Sequence, residues 1–297
     1  MTSLVILAAG LGSRFGGNKQ LAEFGPQQLT LMEYNLINAV NAGFKRVVFV
    51  IRPELEPLLR RQVIPRRPEN IEYAFAVQSF ADLPPACTLP TQRSKPLGTA
   101  HALWCCRHLI KESFAVINAD DFYGKQAFSL LLQQANKTPK DYLMVAYQLR
   151  NTLSDFGGVN RGLCQLDGQN YLTAIEECEQ IQSDGQTIKG ILSENQRDIE
   201  LTAKSLISMN CWFFTPDVFL ALEQALTRLL CAIEAKQLSV NQECYLPAVV
   251  MEQIQQKNHQ QKKRVKVLST DDNWFGLTYS QDSEQVDKKV TALFGKK

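Results

Sequence analysis

Apolar residues come in short unbroken blocks through the first part of the chain and change to looser alternation further on. Leu4 to Ala8 is one such block, as expected of a strand covered on both faces. Thr30 and Glu33 form a T-x-x-E capping box that opens a helix carrying Leu31, Tyr34, Leu36, Ile37 and Val40, closed near Gly43. Arg46 to Ile51 is a second buried strand, Pro53 suits the first turn of another helix, and Ile71 to Val77 is a third strand. A strand-helix-strand-helix-strand order predicts a parallel sheet with right-handed crossovers.

Gln78 to Leu97 is rich in proline and polar residues and is expected to be a long loop, a kind of segment that often carries function. It leads into a helix over about Gly98 to Leu109 and a fourth buried strand, Phe114 to Asn118, which stops at Ala119-Asp120-Asp121. Two acids at the carboxyl end of a central strand are costly unless something positive uses them. After Asp141 strands are joined by turn signals: YLMVAYQLR, LSDFGGVNRG, LCQLDGQNYLTAIEE with its Asp-Gly turn, and SLISMNCWFF. Helices are expected to about Gln260, then a short strand over Arg264 to Leu268 and a terminal helix. Trp212, Phe213 and Phe214 read as core.

The composition narrows the partners. With 297 residues, 45% of them hydrophobic, the chain can bury a sizeable core. A net charge of +2 with both signs interspersed disfavours nucleic acid or a membrane surface. No apolar run has membrane-span length and the N-terminus lacks a signal-peptide pattern, so the expected location is cytoplasmic. Eight cysteines without a CxxC pair are expected to be reduced core thiols. His101 and His108, seven apart on one helix, are expected to pack or cap.

The first strand runs into Leu7-Ala8-Ala9-Gly10-Leu11-Gly12-Ser13-Arg14-Phe15-Gly16-Gly17, followed by Asn18-Lys19-Gln20-Leu21. Bare backbone beside cations suits an anion, usually a phosphate. It is not the dinucleotide fingerprint, because Phe15 stands where the third glycine belongs, nor a P-loop, because Asn18-Lys19-Gln20 follows Gly17. The loop and its downstream lysine resemble the signature of the sugar-phosphate nucleotidylyltransferases, the NDP-sugar pyrophosphorylases with a GT-A-like fold. Pro96-Leu97-Gly98-Thr99-Ala100-His101-Ala102 resembles that family's second nucleotide motif, and Asn118-Ala119-Asp120-Asp121 its metal-holding strand end.

The resemblance implies an α/β fold, Rossmann-like with three α/β/α layers and a mixed, mostly parallel central sheet. It implies one nucleotidyltransferase domain over 1–297: a nucleotide-binding half (1–150), an acceptor-binding half (151–225), and a helical extension with a return strand (226–297). Leu7, Ala8, Ala9, Gly10, Gly12, Ser13 and Arg14 would wrap the triphosphate, and Gly98 and Thr99 would contact the nucleotide with a base-reading side chain from Gln92 or Arg93. Lys95 would lie near the phosphates. Arg14, Lys19 and Asp120 would be catalytic, Lys19 reaching the incoming phosphate and Asp120 holding Mg2+, while Asp121 is expected to cap or to face solvent. On the acceptor side the implied contacts are Lys19, Gly158 of the Gly157-Gly158 turn, Glu176, Glu177 and Asn210.

Two departures stand out. Cys178 replaces the lysine that commonly follows the glutamate, and Gly276 stands at the aspartate position of a Trp-x-Asp return, with Asp272, Asn273 and Asp282 nearby. The expected activity is Mg2+-dependent transfer of a nucleoside monophosphate from an NTP to a phosphorylated small molecule, a sugar 1-phosphate by resemblance, with release of pyrophosphate. Alternatives are a cytidylyltransferase for an alcohol phosphate such as phosphocholine, or a nucleotide- or sugar-binding regulatory protein without turnover. The oligomeric state stays open, a homo-oligomer being among the assemblies the resemblance allows, with the C-terminal helices the part in which relatives vary in assembly.

Overall fold

A computed structural model describes residues 2–10, 18–154, 157–256, 262–277 and 282–295. Strand β1 (Ser3–Leu7) is followed by a small hairpin, β2 (Glu23–Phe24) and β3 (Leu29–Thr30), and by helix α1 (Leu31–Ala42). The Thr30 side chain accepts from Glu33 N–H and the Glu33 carboxylate accepts from Thr30 N–H, which completes the expected capping box; the helix closes at Gly43. Then come β4 (Arg46–Ile51), α2 (Glu56–Gln62), β5 (Glu72–Val77), α3 (Thr99–Trp104), β6 (Phe114–Asn118), β7 (Asp121–Phe122), α4 (Gln126–Lys137) and β8 (Tyr142–Gln148). The second half adds β9 (Val159–Leu166), β10 (Leu172–Ser183), β11 (Ile188–Leu192), β12 (Arg197–Leu201), β13 (Leu206–Phe214), α5 (Val218–Glu234), α6 (Leu246–Ile254), β14 (Val265–Thr270), β15 (Phe275–Gly276) and α7 (Asp282–Phe294).

Hydrogen bonding gives a central sheet in the order β5-β4-β1-β6-β13-β8-β14, in which β13 alone runs against the others. Strands β1, β4, β6 and β8 are buried on both faces, and alternate residues feed two cores. Leu4, Ile6, Val47, Phe49 and Ile51 pack with α1, α2 and α4 through Met32, Leu36, Leu59, Phe128 and Leu131. Val5, Val48 and Val50 pack on the other side with α3, α5 and α6 through Leu103, Leu222, Leu226 and Val249. This is the three-layer α/β/α arrangement, with a mixed, mostly parallel central sheet.

The antiparallel strands β9 to β12 extend this sheet from one end of β13. β13 pairs with β9 through Ile207 and Ser208, then with β6 through Trp212, Phe213 and Phe214. A register shift between Ser208 and Cys211 lies between the two pairings, so the sheet forks there. The hairpin β11-β12 has no counterpart in the sequence reading. It is an edge with charged residues on its open face and only Ile188, Gly190, Leu192, Ile199 and Leu201 turned inward, so its apolar signal is faint. Helix α3 is shorter than expected, giving way to turns after Trp104.

A third, smaller core joins the two ends of the chain. Phe24, Leu31, Tyr34 and Phe122 pack with Phe275, Leu277, Val286 and Val290, and Asp287 accepts a hydrogen bond from Gly25 N–H at 2.7 Å. Helix α7 and the return strand β15 are thereby fastened beside the segment that carries Lys19.

Candidate active site

The carboxyl ends of β1 and β6 lie side by side, Leu7 opposite Asn118. At such ends of a parallel sheet the strands stop and ligand-binding crevices form. A cavity of about 420 Å³ opens there. From the residues named above it gathers Leu7, Ala9, Gly10, Lys19, Lys95, Gly98, Thr99 and Asp120, together with Gln20, Gln78, Asn118 and Glu243. Ala8 is fully buried beneath it. Gly12, Ser13 and Arg14 lie outside the described residues.

Lys19 is the centre of this arrangement. Its ammonium forms an ion pair with Asp120 and donates to the Leu277 carbonyl at 3.0 Å, while Leu277 N–H donates to the Asp120 carbonyl at 3.0 Å. The return strand thus holds the lysine and the aspartate together. Gln20 donates from Nε2 to the Gly10 carbonyl at 2.9 Å, tying the two ends of the glycine loop, and its Oε1 is buried with no hydrogen-bond partner among the described residues.

Asp121 does not cap a helix or face solvent. It is buried, and its Oδ2 accepts from Asn118 Nδ2 at 2.9 Å and from the Tyr123 hydroxyl at 3.2 Å. Burial and the charge of Asp120 raise its pKa, opposed by Asn118, Lys19 and Tyr123. Asp121 pairs with Gly276 between β7 and β15, and a Cβ on Gly276 would collide with Asp121 Oδ1. The missing return-strand aspartate therefore has a steric reason: a neighbouring carboxylate already fills that space. Asp272 is engaged elsewhere, accepting from Gln126 N–H at 2.6 Å at the start of α4, and Asp282 opens α7.

The second nucleotide motif is held by the segment between α5 and α6. Gly98 has φ +93, and a side chain on it would strike the Cys244 backbone. Ala100 N–H donates to the Cys244 carbonyl at 3.1 Å, Cys244 N–H to the Leu97 carbonyl at 2.8 Å, and Leu246 N–H to Thr99 Oγ1 at 2.9 Å. This places Glu243 at the cavity wall. Sequence reasoning put the base-reading side chain at Gln92 or Arg93, and the structure places neither at the cavity. Gln92 is exposed. Arg93 is spent on backbone carbonyls, donating to Val240 at 2.7 Å, Gln242 at 2.9 Å and Pro96 at 2.6 Å.

The side chain that does face the cavity from this loop's start is Gln78, the residue after β5. Its Nε2 donates to the Gly98 carbonyl at 3.2 Å and to His101 Nδ1 at 3.2 Å, because His101 donates from Nε2 to the Asp82 carbonyl at 2.7 Å. Burial lowers the pKa of His101, which keeps the imidazole neutral and Nδ1 an acceptor. The position of Gln78 at the end of an apolar strand was the signal available in the sequence.

A second cavity, about 180 Å³, adjoins the first, with Asp120 lining one and Asp121 the other. Its walls include Asn160, Arg161, Glu177, Ser208 and Asn210. Asn210 sits at the fork of the sheet with φ +59, a left-handed conformation that asparagine tolerates better than most residues. Alternation along β10 turns Glu177 toward this cavity and leaves Glu176 outside it. Gly158 also stays outside, and a side chain on it would press against the bulged backbone of Gln180. Arg161 was not foreseen.

A model of a protein family described as nucleotidyl transferase matches residues 3–231. The chain belongs to the nucleotidyl transferase family. Solved structures with the same fold include the inositol-1-phosphate CTP transferase from T. maritima, at TM-score 0.61 and 13% identity over 98% of this chain and 95% of that one. A putative glucose-1-phosphate thymidylyltransferase from Bacillus anthracis aligns at TM-score 0.61 and 11% identity, covering 98% and 96%. UDP-glucose pyrophosphorylase from Acinetobacter baumanii aligns at 0.56 and 15%, covering 99% and 97%. Comparison with curated proteins gives no significant match. Among the described residues of this nucleotidyl transferase, no group of three or more His, Cys, Asp or Glu side chains forms a metal site, and no helix is long and apolar enough to cross a membrane.

Proposed function

We propose that the protein transfers a nucleoside monophosphate from an NTP to a phosphorylated small molecule, a sugar 1-phosphate as first choice, releasing pyrophosphate. The observation that carries this reading is the Lys19–Asp120 pair, clamped by Leu277 in one cavity with Gly10, Gly98 and Thr99. Attack of one phosphate on another crowds negative charge, and fixed cations that lie in place beforehand lower that cost. In this reading Lys19 orients the attacking phosphate of the acceptor and offsets its charge. Arg14, on the glycine loop, is assigned the triphosphate.

The donors present fit Mg2+. The cavity offers the Asp120 carboxylate, an oxygen donor, and no soft ligand, and the described residues alone do not complete a coordination shell. That suits a hard cation which keeps waters and takes substrate oxygens. When bound on Asp120, Mg2+ would supply charge neutralisation at the phosphates and help pyrophosphate depart.

Gln78 takes over the base-reading role from Gln92 and Arg93, with Nε2 committed to Gly98 and His101 and Oε1 left to accept from a nucleobase. Glu177 and Asn210 are assigned to acceptor hydroxyls. The three solved neighbours are named for CTP, thymidylyl and UDP chemistry, so the base rests on local side chains. Unbridged cysteines support a reducing, cytoplasmic location.

The test is pyrophosphate release with Mg2+, crossing four NTPs with a panel of sugar 1-phosphates and phosphocholine, with Asp120→Asn as blank. Release with one pair names both substrates. NTP binding without release from any pair favours the regulatory alternative.

A further inference from the structure

Glu243 is an acid in a cavity assigned to a nucleoside triphosphate, and no described side chain claims its carboxylate. It lies between α5 and α6, far in sequence from either nucleotide motif, and is fixed against the second motif from both sides. Asn241 Oδ1 accepts from Ser94 N–H at 3.1 Å and from Lys95 N–H at 3.3 Å. Cys244 donates to the Leu97 carbonyl and accepts from Ala100 N–H. The Glu243 side chain is half-buried, lines the cavity with Gln78 and Gly98, and forms no hydrogen bond or ion pair among the described residues. Two cations stand near it. Lys95 shares the cavity wall without pairing with it, and Arg93 feels its charge but directs its guanidinium to the carbonyls of Val240, Gln242 and Pro96.

An unpaired carboxylate repels phosphate, so it has no use at the phosphate end of the cavity, where Lys19 and Asp120 stand. Beside Gln78 it faces the base. Gln78 Nε2 is committed to Gly98 and His101, so what Gln78 and Glu243 leave for a base is acceptors, an amide oxygen and a carboxylate. The base must bring the donors. Guanine carries N1–H and its 2-amino group side by side, which match the two oxygens of one carboxylate. Uracil and thymine offer a single N3–H between two carbonyl oxygens, and cytosine and adenine an amino group beside a ring-nitrogen lone pair. Each of these brings a lone pair that the carboxylate repels.

We propose that Glu243 reads the base and that the donor nucleotide is a guanosine triphosphate. The proposal rests on the nucleotidyl-transfer reading for the presence of a nucleotide, but its test is equilibrium binding and needs no turnover. GTP, ITP, dGTP, ATP, CTP and UTP, each with Mg2+, are titrated calorimetrically into wild type, Glu243→Gln and Glu243→Ala. ITP keeps N1–H and lacks the 2-amino group, and dGTP lacks the ribose 2′-hydroxyl.

Wild type should bind GTP about tenfold or more tightly than ATP, CTP or UTP, with ITP in between and dGTP close to GTP. Glu243→Gln should weaken GTP about tenfold, narrow the gap between GTP and ITP, and leave UTP unchanged or tighter. A different preferred base in wild type overturns the proposal, as does an equal loss for all NTPs in Glu243→Gln. A wild-type preference for GTP over dGTP that Glu243→Gln abolishes also overturns it, by placing Glu243 on the ribose. Glu243→Gln keeps the side-chain shape and decides the matter should Glu243→Ala fail to fold. GTP binding without pyrophosphate release from any acceptor overturns the transfer reading and leaves the base assignment standing, whereas a wild type that binds no NTP overturns both.

Discussion

The two cavities differ in how they are built. The larger one sits on strands β1 and β6, paired in parallel and buried on both faces, with contacts drawn from loops that leave the strand ends. The smaller one sits where β13 bulges and the antiparallel extension begins, with contacts projecting from within strands. Loops at strand ends carry compact sequence motifs, because neighbouring residues touch one ligand. Side chains that converge from β9, β10 and β13 are scattered along the sequence, and only register and bulges bring them together. The first cavity therefore has a signature and the second does not.

The sharpest way to break this contrast is Lys19→Met. Removing the fixed cation from the Asp120 pair should lower turnover by roughly 10²- to 10³-fold, on the scale of losing one transition-state donor, while the fold survives because the side chain lies in a cavity. Steady-state kinetics beside a thermal melt would check this, and turnover within a few-fold of wild type would contradict it.

Arg93→Met comes next. Three backbone carbonyls would lose their donor, so a stability loss of about 1–3 kcal/mol is expected in denaturant unfolding, without a changed ranking among the four NTPs. A changed ranking with intact stability would restore Arg93 to the base-reading role. Glu177→Gln sharpens the division between cavities: the acceptor KM should rise about tenfold, with NTP affinity unmoved, as for loss of one charge-assisted hydrogen bond. A rise in the NTP KM instead would merge the two cavities into one binding unit.

The smallest effect concerns pH. Burial holds the folded pKa of His101 below its usual value, so the unfolded chain takes up the proton first. Its contribution to stability is present above about pH 6.5 and is lost as the pH falls below that value. Protonation also removes the acceptor that orients Gln78. Melting wild type and His101→Gln between pH 7.5 and 5.5 should show the steeper loss in wild type; parallel curves would mean that His101 is not held neutral.

Much of the first half was readable from sequence because local signals and tertiary structure agree. The Thr30–Glu33 box, the strand Arg46–Ile51 and the strand Phe114–Asn118 fall where the pattern puts them. Lys19, Gly98, Thr99 and Asp120 come together as their motifs imply. Arg93 misled because it lies near the second motif in sequence, and nothing local shows that residues 240–242 would claim its guanidinium. Asp121 misled because Gly276, which covers it, is far away in the sequence and meets it only when β7 and β15 pair. Arg161 was invisible for the same reason, its setting being made by a sheet fork rather than by a motif.

The most direct test of nucleotidyl transfer follows the α-phosphate itself. With NTP labelled at the α-phosphorus, Mg2+ and the acceptor that gives pyrophosphate release, label should move into a phosphatase-resistant product joined to the acceptor, in wild type and not in Asp120→Asn. Label that stays in the NTP, or appears only as free nucleoside monophosphate, would contradict transfer and show binding or hydrolysis in its place.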